Sequence, residues 1–110
     1  MGFESGDEGR RAQLPLRRLG ESFDFEFEGT CFTATVGFYP DGRVGELFLN
    51  GLKLDTAQDV YACDLGKAIS IALQYGASLE ALARTMTRDG AGRPRGLAGC
   101  VLDLVREMRG

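Results

Sequence analysis

Residues 21–28 alternate strictly, with Phe23, Phe25 and Phe27 on one side and Asp24, Glu26 and Glu28 on the other. This is the pattern of a strand with one face buried and one wet. Residues 31–38 repeat it, placing Phe32, Ala34, Val36 and Phe38 opposite Thr33 and Thr35. Tyr39-Pro40-Asp41-Gly42 then reads as a turn, because proline presets φ and glycine is available where φ must be positive. Residues 43–49 make a third strand, with Leu47 and Leu49 opposite Glu46 and Phe48. Short connections between the three predict an antiparallel meander whose apolar face needs a helix over it. The acidic row of the first strand is explained by alternation alone, and it also guards that strand against edge-to-edge pairing.

The period changes after Asn50-Gly51. Asp55 followed by Gln58 fits a capping box, and Gly76 suits a left-handed helix end, so a helix is predicted over 55–75. Tyr61, Leu65, Ala68, Ile69, Ala72 and Tyr75 recur at helical spacing, while Ile71 and Leu73 carry apolar character onto the flanks. Only Asp64, Lys67 and Gln74 form a polar stripe, so this central helix is expected to be nearly surrounded. Ser70 is read as a small packing residue bonding back to its own turn. Ser78 caps a short helix with Leu79, Leu82, Ala83 and Met86 facing inward, and residues 88–96, RDGAGRPRG, read as a mobile loop. A last helix over 97–109 buries Leu97, Val101, Leu104, Val105 and Met108, with Asp103 and Arg106 paired along it. The fold class is therefore α+β: a three-stranded antiparallel meander, a long central helix and two shorter helices. Residues 21–110 form that single domain, and residues 1–20 read as a flexible arm from which Leu14, Leu16 and Leu19 can dock.

Composition narrows the chemistry. The 110 residues contain no histidine, which removes the commonest neutral-pH base and every histidine-containing metal site. Cys31, Cys63 and Cys100 are far apart in sequence and form no C-x-x-C pair, so they read as buried, reduced thiols. No catalytic residue and no metal site is expected. The amino terminus lacks a signal-peptide pattern and no apolar run approaches membrane-spanning length, which predicts a soluble, cytoplasmic protein with no membrane partner. Net charge is −3, but residues 21–64 carry nine acidic side chains against Arg43 and Lys53, whereas residues 84–110 carry six arginines against Asp89, Asp103 and Glu107. An acidic chain is a poor general binder of nucleic acid, and this asymmetry favours self-association or one local anion site. A homodimer is expected, with Ile71 and Leu73 at the contact.

Gly90-Ala91-Gly92 follows a helix and lacks a Gly-Lys-Ser/Thr ending, so it is neither a P-loop nor a dinucleotide fingerprint. Arg93 and Arg95 stand beside the start of the last helix, where guanidinium groups and free N–H groups favour an anion.

Two segments carry a resemblance. GRVGELFLNGLKLDT over 42–56 and AISIALQYGASLEALA over 68–83 resemble the TSCPD domain, with the run Ser70 to Gly76, the Gly-Glu-Leu-Phe strand and the late Asp103 as its marks. That domain is best known as the carboxy-terminal module of adenosylcobalamin-dependent ribonucleotide reductases and also occurs as short stand-alone proteins. The resemblance implies an association with deoxyribonucleotide synthesis, as an accessory or regulatory module working with a ribonucleotide reductase or a related nucleotide enzyme, with a nucleotide phosphate expected as the anion at Arg93 and Arg95. Adenosylcobalamin belongs to the full-length enzymes and no cofactor is expected in this chain. Those reductases carry a cysteine pair near the carboxy terminus for electron delivery; here Cys100 stands alone. The chain is thus not expected to be an enzyme by itself, and the competing expectation is a non-catalytic, self-associating interaction module.

Overall fold

The computed structural model describes residues 10–16, 19–53 and 56–109, with Arg109 described by its backbone alone. The element order is β1 (Gly20–Phe27), β2 (Thr30–Phe38), β3 (Val44–Gly51), α1 (Ala57–Gln74), α2 (Leu79–Thr85) and α3 (Leu97–Arg109). The strands form one antiparallel sheet in the order β1-β2-β3. This is the α+β arrangement that the alternation predicts.

β1 and β2 are joined by a two-residue turn in which Glu28 and Gly29 both have positive φ, 50° and 79°. That geometry matches the twist of the strands it connects and closes the register at Phe27 opposite Thr30. The second turn is held by Gly42 N–H donating to the Tyr39 carbonyl at 2.8 Å and by Asp41 accepting from Arg43 N–H at 2.9 Å. Phe32, Ala34 and Val36 of β2 join Leu47 and Leu49 of β3 in the core, closed by Ala62, Ile69 and Leu73 of α1 and by Leu97, Val101, Leu102 and Val105 of α3. Phe23, Phe25 and Phe27 are only half-buried at its margin, with Phe25 stacked on Phe32 at 5.7 Å between ring centroids.

α1 runs along the outer edge of β3. In this sheet the odd-numbered residues of β3 turn their N–H and C=O groups away from β2, and three polar side chains of α1 meet them. Ser70 Oγ accepts from Leu47 N–H at 2.8 Å and donates to the Leu47 carbonyl at 3.0 Å. Asp59 accepts from Gly51 N–H at 2.9 Å, and Gln74 Nε2 donates to the Gly45 carbonyl at 2.8 Å. The helix thereby does the hydrogen-bonding work of a fourth strand. Close approach requires Gly66, because a Cβ there would lie 2.8 Å from the Leu47 carbonyl oxygen and 3.0 Å from Leu49 N.

This placement corrects the expected helix face. Asp59, Ser70 and Gln74 are buried, while Tyr61 and Tyr75 are more than half exposed. The surface α1 meets is largely backbone, so polar side chains belong inside. Ser70 bonds across to β3 rather than to its own turn. Thr56 caps the helix by accepting from Asp59 N–H at 3.2 Å; the expected cap, Asp55, lies outside the described residues.

Ser78 caps α2 as predicted, accepting from Ala81 N–H at 3.0 Å. On α3, Leu102 is fully buried and Leu104 only partly so, which shifts the buried stripe from the expected one. From the amino-terminal stretch, Ala12 N–H donates to the Gln74 carbonyl at 2.8 Å and Tyr39 Oη donates to the Ala12 carbonyl at 2.9 Å. Leu14 packs beside Gly45, whereas Leu16 and Leu19 are exposed.

Candidate functional site

Three places concentrate polar chemistry. The first joins the end of α2, the 88–96 segment and α3. Arg88 makes a two-pronged ion pair with Asp103, at 2.8 and 2.9 Å, and donates to the carbonyls of Ala83 at 2.8 Å and Gly92 at 3.1 Å. The Asp103 carboxyl is held below the usual carboxylate range, chiefly by the hydrogen bonds from Arg88. Arg106 reaches Asp103 at 3.4 Å, the predicted pairing along the helix, and bridges to Glu80 of α2 at 2.9 Å.

The segment expected as a mobile loop is a closed turn. Arg88 and Pro94 bridge antiparallel, Asp89 N–H donates to the Arg93 carbonyl, and the Asp89 side chain accepts from the N–H groups of Ala91 and Arg93. Composition alone suggested mobility because the stretch has no apolar residue at a regular spacing; its order comes from Asp89 and Arg88. On its surface, Arg93 and Arg95 are exposed, with Arg93 3.7 Å from Asp89.

The second place surrounds Cys63. Asn50 donates to its sulfur at 3.3 Å and the thiol faces Asp59 at 3.8 Å. Burial, followed by the Asp59 charge, pushes this thiol up, and burial followed by Asp103 does the same for Cys100. Both environments favour the protonated thiol, the direction opposite to an activated nucleophile. All three cysteines are free, and Cys31 is exposed, contrary to the expected burial, because its side chain falls on the wet face of β2.

The third place is a groove of about 290 Å³ lined by Arg11, Glu46, Phe48, Lys67, Ser70, Ile71 and Gln74. Arg11 Nε donates to the Gln74 side-chain oxygen. Glu46, expected on the wet face, is buried here, whereas Phe48 and Ile71 are 50% and 45% exposed.

Comparison with known proteins gives a specific result. A vitamin B12-dependent ribonucleotide reductase from Rhodopirellula baltica is 38% identical over 73 residues, covering 66% of this chain and 7% of that protein. Another vitamin B12-dependent ribonucleotide reductase, from Agrobacterium fabrum, is 34% identical over 77 residues, covering 70% of this chain and 6% of that protein. The likeness is to a short piece of a long reductase. No protein-family model and no solved structure matches the chain.

The expected residues separate on the structure. Arg93 and Arg95 share one turn at the start of α3. Ile71 and Leu73 do not share a surface: Leu73 is 5% exposed and belongs to the core, so it is unavailable to a second copy, while Ile71 lines the groove. Sequence reasoning missed Arg88 as the organiser of the α2–α3 junction. The one available signal was a lone carboxylate, Asp103, inside the apolar run of α3. Among the described residues, no group of three metal-ligating side chains converges and no helix is long and apolar enough to cross a membrane.

Proposed function

We propose that this chain is an accessory module of deoxyribonucleotide synthesis, of the TSCPD kind, that acts in the cytoplasm on or beside a B12-dependent ribonucleotide reductase. The observation that carries this reading is the likeness over two thirds of the chain to a segment of two such reductases. The proposed role is binding rather than electron delivery, since the two thiols with resolved shifts are held toward the protonated form, which is slow in thiol–disulfide exchange. Arg93 and Arg95, exposed on a turn fixed by Arg88 and Asp89, are the proposed hold for a nucleotide phosphate.

The test combines the purified chain with a purified B12-dependent reductase. Co-sedimentation at micromolar concentration and a changed rate of nucleotide reduction are expected, with the Arg93→Ala/Arg95→Ala variant losing any effect of added nucleotide on the co-sedimentation. Absence of both association and rate change overturns the reading. A second reading, a self-associating module without catalysis, is favoured by Phe48 and Ile71 exposed along one groove.

A further inference from the structure

The chain treats the two edges of its sheet differently. Outer backbone groups of Gly45, Leu47 and Gly51 on β3 are taken by Gln74, Ser70 and Asp59 of α1. β1 forms the opposite edge. The two-residue turn at Glu28-Gly29 makes Phe27 and Thr30 a hydrogen-bonded pair, so the odd-numbered residues of β1 face β2. Leu19, whose carbonyl accepts from Phe38 N–H at 3.0 Å, fits the same parity. Ser22, Asp24 and Glu26 therefore turn their N–H and C=O groups outward, and no backbone group among the described residues takes them.

Side chains at this edge are sorted as well. Asp24 and Glu26 are exposed on the wet face, where Asp24 accepts from the Thr33 hydroxyl at 2.8 Å and neither makes an ion pair among the described residues. On the other face Phe23, Phe25 and Phe27 are only half covered.

We propose that the β1 edge accepts an extended segment of a partner protein in which basic and apolar residues alternate. The segment adds as a fourth strand. Its backbone pairs with Ser22, Asp24 and Glu26, its basic side chains stand opposite the two carboxylates, and its apolar side chains close over the phenylalanine row. Charge selects against a second copy of β1 in that place, because antiparallel pairing would set Asp24 and Glu26 against their own kind. The inference goes beyond the reductase reading, as it concerns what the edge accepts, whichever protein supplies it.

The full chain, isotopically labelled, is titrated with a short alternating Lys-Val peptide and with a peptide of the same composition whose lysines form one block. Expected are binding of the alternating peptide and slowed amide exchange at Ser22, Asp24 and Glu26. Asp24→Lys/Glu26→Lys should weaken binding by about tenfold or more through charge alone. Asp24→Pro deletes one outward N–H at a position where an edge strand tolerates proline, so a folded spectrum with similarly weakened binding is expected. Equal binding of the block peptide, binding without protection of those three amides, or no binding overturns the proposal. Because the readout needs no reductase, its failure leaves the association test above unaffected.

Discussion

One methyl group at position 66 is expected to lift α1 from the sheet. Gly66→Ala gains up to about 1 kcal/mol of helix propensity. It also sets a carbon 2.8 Å from the Leu47 carbonyl oxygen, which is backbone and cannot swing aside. Overpacking of that kind costs about 1–3 kcal/mol, so a net loss of stability in urea titration is expected. Ser70→Ala leaves both Leu47 backbone groups unpaired inside the protein and should cost about 1–3 kcal/mol by the same measurement. These two positions also mark where the sequence was misleading. Apolar spacing pointed Tyr61 and Tyr75 inward and left Gln74 on a wet stripe, because such patterns assume that a helix meets side chains. Here it meets a strand edge, and no local pattern announces that Asp59, Ser70 and Gln74 have carbonyl and amide partners.

Between elements, the junction of α2 and α3 depends on Arg88 and Asp103. The Asp103 carboxyl has a lowered pKa in the folded chain, so at acid pH the unfolded chain takes up the proton first. Its contribution to stability is thus fully present above the ordinary carboxylate value of about 4 and disappears as pH falls through the lowered folded value. Asp103→Asn should lower the melting temperature at neutral pH, and the gap from the native chain should close on acidification. A constant gap across that range would assign Asp103 a packing role instead. The i,i+3 pairing of Asp103 with Arg106 was legible from sequence, since both lie on one helix. The stronger pairing with Arg88 was not, because its partners come together only after the turn folds back.

For the whole molecule, the order of strands and helices was readable because each carries its own local signal: alternation, turn residues, caps. What sits on the surface was less readable, since it depends on how the helices lie on the sheet. Leu73 illustrates this, passing from an expected contact residue to the core, while Phe48 joins Ile71 along the groove. If copies associate through that groove, sedimentation at micromolar concentration should give a dimer that Ile71→Asp converts to monomer without unfolding it. The contact should persist in high salt, as apolar burial is not screened. A sheet sealed along one border and open along the other has one further property: it can lengthen in only one direction. Joining a partner segment to β1 moves the open border outward by one strand, while the border under α1 stays covered. A domain with one open border cannot stack its own copies edge to edge into a fibre, and the charges of Asp24 and Glu26 oppose even the first such pairing.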